Sequence, residues 1–285
     1  MCTARSSSTL LVWLFTSLLL VSRADGQTER MDFSVEDARP LGAAVLSLLT
    51  RYPVVITYED PRYQYSGDLQ DVTERVRRNP NSTGKGRILV PRGGHLHASY
   101  EIAQETGTPV NMKDALNGVV AAKNLNAVGG RFAVYQSGDA LHVVPVEVRD
   151  SNGAWVKQQS VLNTPITLSS GELDGYALME AILKEVSDAS GIKLGLAAEN
   201  VTNTLGRYRG GIEAADEPAR DVLLRALHSI SPRLTWILNY DPSDRYYFFN
   251  VTVVAEPPPP EVPLDLSTLP RPGDPTPAGP PFRAR

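Results

Sequence analysis

The chain has 285 residues, a formal net charge of −4, four histidines and a single cysteine. This mild acidity excludes the strongly basic surface that nucleic acids and anionic membranes reward. One cysteine cannot build an internal disulfide framework or a thiolate metal site.

Residues 1–26 are predicted to be a signal peptide: Arg5 supplies a positive start, Leu10 to Val21 an apolar run, and Ser22-Arg23-Ala24 small residues at the two positions a signal peptidase inspects. The apolar run is shorter than the roughly 20 residues a membrane span needs. Cys2 precedes it, so no lipoprotein acceptor cysteine follows. Cleavage after Ala24 or Gly26 would leave a mature chain without a thiol, and the expected location is periplasmic or secreted, with the membrane met only through the signal.

Four helices are predicted from apolar residues spaced three and four apart. Pro40 opens the first, with Leu41, Ala44, Val45, Leu48 and Leu49 on one face. The second runs from Asn111 to Lys123 and the third from about Leu173 to Ser187, with Gly191 after its end. The fourth starts at Asp216, read as an N-cap with Pro218 in the first turn, and aligns Val222, Leu223, Ala226, Leu227 and Ile230. Strand signals alternate with them: Val54–Tyr58, a hairpin of Arg131–Tyr135 and Leu141–Val146, Pro165–Leu168, Ile192–Leu196, and a hairpin of Leu234–Tyr240 and Tyr246–Val254. In the first arm of the last hairpin, Trp236, Leu238 and Tyr240 alternate as in a half-buried strand. From Glu256 the composition turns Pro-rich; residues 256–285 are expected to be a disordered tail, because proline fixes φ and removes the backbone donor.

The order of elements repeats. Residues 31–148 and 163–254 each read as strand, helix, strand, connection, helix, hairpin, with the connection of the first copy enlarged by an insertion at 64–108. The expected fold class is α+β: two βαβ-β-αββ modules, each with helices packed on a small mixed sheet.

The insertion holds the candidate chemistry. His95 and His97 share one face of an extended segment, with Glu101 beyond them, and are the candidate metal pair; nothing specifies the third protein ligand that zinc takes, so no metal and no cofactor is expected. An exposed pair beside the Gly93-Gly94 bend is the competing reading. Gly84-Lys85-Gly86 lacks the spacing of a phosphate loop and reads as a surface turn. Arg75, Arg77, Arg78, Lys85, Arg87 and Arg92 can meet an acidic glycan or partner, or simply coat a solvated face diluted by Asp71 and Glu74. The aromatic run Trp236, Tyr240, Tyr246, Tyr247, Phe248 and Phe249 reads as a sugar platform or, more simply, as a hairpin with one face in the core. Asn81, Asn200 and Asn250 stand in glycosylation sequons. No nucleophile elbow, HExxH or other catalytic motif occurs, and the catalytic set is empty.

Ile166-Thr167-Leu168, an amphipathic helix, Gly191-Ile192-Lys193-Leu194-Gly195-Leu196, Gly210-Gly211-Ile212-Glu213, Ala219-Arg220-Asp221-Val222-Leu223-Leu224-Arg225-Ala226-Leu227 and Leu234-Thr235-Trp236-Ile237-Leu238-Asn239-Tyr240 together resemble the short N-terminal (STN-like) domain of secretins and TonB-dependent receptors. The resemblance covers 163–254 and, more loosely, 31–148. It implies small periplasmic interaction modules without catalytic residues. Two functions are carried forward: an exported, non-enzymatic binding or adaptor protein whose partner is another exported or envelope protein, and an exported hydrolase or metal-dependent enzyme with its site in 64–108. The lack of a catalytic motif favours the first. Oligomeric state and ligand are not legible at this level.

Overall fold

The structure is a computed structural model that describes residues 28–77, 86–126, 128–198 and 201–257. The signal segment, Asn81, Lys85, Asn200 and the tail beyond residue 257 lie outside the described residues. The protein is α+β, and among the described residues no helix is long and apolar enough to cross a membrane.

The first half runs β1 (Thr28–Asp37), α1 (Pro40–Arg51), β2 (Ile56–Glu59), β3 (Leu69–Asp71), α2 (Thr73–Val76), β4 (Leu89–Pro91), β5 (Gly94–Ala103), α3 (Met112–Asn124), β6 (Arg131–Ser137) and β7 (Ala140–Arg149). After β8 (Trp155–Lys157) the second half runs β9 (Pro165–Ser169), α4 (Gly175–Ser190), β10 (Leu194–Ala197), α5 (Thr202–Arg207), β11 (Glu213–Pro218), α6 (Ala219–Ile230), β12 (Leu234–Asp241) and β13 (Tyr246–Val253).

Local chemistry sets the helix ends. The Asn111 side chain accepts from the N–H groups of Lys113 and Asp114 at the start of α3, and Asp174 does the same for Ala177 in α4. Gly191, at φ +69°, ends α4 in the left-handed conformation that glycine adopts without steric cost. Asp216 does not cap α6. It belongs to β11 with φ +57°, where the pairing with β9 shifts register, and Pro218 delays the helix to Ala219.

The segment 64–108 is only partly an insertion. Its last third is β5, which pairs antiparallel along its whole length with β1, as β11 pairs with β9. Gly93 makes the turn into β5: it sits at φ +58°, and a Cβ there would lie 2.1 Å from the Asp37 carbonyl oxygen.

The central sheet has the order β10-β13-β12-β2-β7-β6, with β8 added to β7. Each half supplies three adjacent strands in one register. Ile56 faces Leu141, which faces Gln136; in the same places Leu194 faces Tyr247, which faces Tyr240. The halves meet where β12 runs parallel to β2, pairing Ile237 with Tyr58 and Leu238 with Glu59, and the Asp60 N–H donates to the Leu238 carbonyl at 2.8 Å.

Neighbouring residues of a strand point to opposite faces. Ile237 and Tyr58 pack into the core under α1 and α3, whereas Trp236 and Leu238 pack into the core under α4 and α6. The helices of the two halves therefore cover opposite faces of one sheet. β12 is accordingly buried on both sides, unlike the half-buried strand its alternation suggested, because α1 of the other half covers its second face.

Candidate functional site

The most charged region lies at the junction of the halves. Three carboxylates with no solvent exposure, Glu59, Asp60 and Asp68, leave the end of β2 and the connection after it. Each meets an arginine, 161 positions away for Glu59, 81 for Asp68 and 21 for Asp60. Glu59 accepts from Arg220 Nη2 and the Val161 N–H, both at 2.9 Å, and from the Ser160 hydroxyl. Asp60 accepts from Arg39 Nε at 2.5 Å, the Tyr58 hydroxyl at 2.6 Å and the Tyr240 N–H at 3.1 Å. Asp68 accepts from Arg149 and from the Gly129 N–H at 2.9 Å. Unpaired, a buried carboxylate costs several kcal/mol, so these pairs fix which segments meet.

Burial acts on the neighbouring groups. It lowers the Lys123 ammonium to about 8, while its Nζ donates to the Val128 carbonyl at 2.8 Å. Burial, joined by the nearby Arg220 charge, takes the His142 imidazole down to about 3. That ring is neutral at ordinary pH and meets the Thr57 hydroxyl at 2.8 Å. Burial and then Asp60 push the hydroxyls of Tyr58 and Tyr63 well above their ordinary value. Such shifted groups mark catalytic sites when they face a cleft. Here the space among Arg39, Tyr58, Asp68, Lys123 and Phe132 is about 10 Å³, room for about one water. The three carboxylates have no solvent exposure and are held by the protein's own donors.

His95 and His97 lie on the exposed face of β5, as alternation requires, with Glu101 further along that face. Across the ribbon His95 faces Glu36, 3.5 Å from Nε2, and His97 faces Ser34. Among the described residues no three histidine, cysteine or acidic side chains converge as a metal site. Of the basic residues described, Arg75 and Arg87 line one open hollow with Asp71 and Glu74, where Arg87 pairs with Asp71, while Arg77 donates to the Gly86 carbonyl and Arg92 to the Leu69 carbonyl. Arg78 and Lys85, and with them the Gly84-Lys85-Gly86 turn, fall outside the described residues. Of the aromatic run, Trp236, Tyr240, Tyr247 and Phe249 are core, while Tyr246 and Phe248 stay at the surface and meet edge to face at 4.7 Å. The Asn250 side chain of the third sequon donates to the Ile237 and Phe248 carbonyls.

The outer strands of the central sheet are β10 and β6, neither with a further strand beside it among the described residues. The Tyr247 N–H donates to the Lys193 carbonyl, so odd residues of β10 turn their backbone groups toward β13. Leu194 and Leu196 turn theirs the other way; the Leu194 N–H donates to the Ser187 hydroxyl of α4 at 3.0 Å, which leaves the edge open at Leu196. Beside that edge lies an open groove of about 510 Å³ between α4 and β10, lined by Glu180, Leu183, Lys184, Leu196 and Tyr246. On β6 the Asn124 side chain closes the backbone of Phe132 by two hydrogen bonds, 2.8 and 2.9 Å, and the edge at Val134 and Gln136 has no strand beside it among the described residues.

Comparison of the chain with family models, with curated proteins and with solved structures gives no match.

Proposed function

We propose that the protein is an exported, non-enzymatic binding or adaptor protein, built from two STN-like modules that join in one sheet. The observation that carries this reading is the contrast between its polar groups. The buried carboxylates are spent on Arg220, Arg39 and Arg149, and the space beside Asp68 admits about one water, whereas the backbone of β10 stands open at Leu196 beside a groove. An open strand edge next to a groove suits strand addition, in which main-chain hydrogen bonds give affinity and the groove selects side chains. The repeated element order supports the modular part, and the apolar run Leu10–Val21 supports export.

The test retains exported proteins on immobilised protein, with the tail present and absent, and follows hydrogen exchange at Leu194–Ala197 as they bind. Protection at that strand is expected. Turnover of ester, peptide or glycoside substrates that is lost on Asp68→Asn would instead place chemistry in 64–108 and overturn the reading.

A further inference from the structure

The junction between the halves is a worked example of how the two free edges can be filled. Matching the halves through their shared register places Leu238 with Val134, Tyr58 with Leu196, and His142 with Phe248. The inner junction joins the outer strand of the second half's hairpin, β12, to the single parallel strand of the first half, β2. The unpaired strands are the counterparts of those two: β6 corresponds to β12, and β10 to β2.

Direction agrees as well. β12 runs opposite to β13, and β2 runs parallel to both β12 and β7, so the first half repeats the second after a half-turn that also exchanges the faces. A second half-turn restores the starting orientation. β10 of another copy would then lie parallel to β6, as β2 lies parallel to β12.

We infer that the protein associates with itself head to tail, β6 of one copy pairing in parallel with β10 of the next, so that the inner junction is repeated between copies. The inference rests on the binding reading above and names its partner as a second copy of this chain. Ala133 would face Leu196 as Ile237 faces Tyr58, and the Ala198 N–H would donate to the Val134 carbonyl as Asp60 does to Leu238.

A side chain supports this independently of the backbone. His142, in the first half, is fully buried on the face that carries the second half's helices, its ring 6.3 Å from that of Trp236. Its counterpart Phe248 is 39% exposed, on a face that α3 of the preceding copy would cover. Gly195 beside it makes room for the Tyr246 ring, whose hydroxyl takes the place a Cβ there would occupy, so Tyr246 and Phe248 form one aromatic surface on that face. The Glu59–Arg220 pair has no counterpart, because Ala197 stands in the place of Glu59. The outer junction is therefore weaker than the inner one and reversible. It is also heterologous, so it propagates instead of closing a symmetric dimer.

Sedimentation and light scattering over a concentration series test this. The wild-type chain should grow in mass with concentration. Leu196→Pro and Val134→Pro each remove one outward N–H and spare the inner ladder, so each alone should be monomeric. Mixed in equal amounts they should form a heterodimer and nothing larger, since one intact edge of each kind remains. Should either proline variant fail to fold by circular dichroism, Phe248→Lys, at an exposed position, carries the test with about a tenfold rise in dissociation constant. A wild-type chain monomeric at every attainable concentration overturns the inference, as does a Val134→Pro variant that still dimerises, which would mean β10 pairing with itself. A monomer that still retains other exported proteins refutes this inference alone, whereas catalytic turnover would refute the binding reading alone.

Discussion

Arg220 is 2% exposed, yet only one of its nitrogens, Nη2, is hydrogen-bonded. The rest of its guanidinium lies over the Tyr135 ring, 5.5 Å from its centre, an attraction between a cation and an aromatic face. Its value lies mainly in what its loss exposes. Arg220→Met should cost about 3–5 kcal/mol in urea unfolding, because Glu59 stays buried without a counter-charge. The double variant Glu59→Leu with Arg220→Met should recover most of that loss; failure to recover would mean the pair contributes more than mutual neutralisation. His142 makes a separate, pH-dependent contribution. Its folded value near 3 lies below the ordinary 6.5, so the unfolded chain takes up a proton that the folded one refuses. Stability is complete above pH 6.5 and falls as pH drops toward 3, by up to about 1.4 kcal/mol per pH unit. His142→Phe, which copies the residue at the matching place in the second half, should flatten that slope between pH 6.5 and 5. None of these pairings was legible in the sequence. Arg220 and Glu59 are 161 positions apart, and the only local sign was an acidic pair, Glu59-Asp60, set directly after the apolar run Val54–Tyr58.

The elements were more readable, because their signals are local. The apolar periods placed all four long helices, and Gly191 stops its helix as expected, while Asn111, read as the first residue of its helix, is that helix's cap. Leu223→Asp in α6 should unfold the protein. It puts a carboxylate into a site with no exposure, between Val222, Ala226 and Leu227, at a cost comparable to the whole stability of a domain. Unchanged melting would show that this face is not buried in solution. Misreadings arose where a long-range contact overrides a local preference. Asp216 looked like a cap but lies in the irregularity of β11, where its N–H donates to the Thr167 hydroxyl of β9 at 3.1 Å; β5 looked like inserted chain because its partner, β1, begins 66 residues earlier in the register Thr28 to Ala103 through Asp37 to Gly94.

At the scale of the whole molecule, the division into two modules describes sequence and strand order, while the packing crosses it. Val254, from the end of the second half, lies in the core of the first, and the Ala255 N–H donates to the Leu49 carbonyl at 2.8 Å. Calorimetry should therefore show one cooperative transition, with calorimetric and van't Hoff enthalpies equal. Two resolved transitions, or a stable fragment 160–257 alone, would show that each half folds unaided. The candidate site was hidden from sequence for the same reason: an open edge is defined by which strands lie beside it, and strand order is not written in any one segment.

The placement of helices on opposite faces has a consequence in time. A chain grows from its N-terminus, so the first half is complete while residue 220 is still to be made. Until α6 arrives, the sheet face bearing Thr57, Glu59 and His142 is wet, and β2 has an unpaired side awaiting β12. Contacts this remote in sequence form slowly. The nascent first half therefore passes through a period with an open strand and a bare sheet face, when a chaperone or another nascent chain can occupy the place reserved for its own second half.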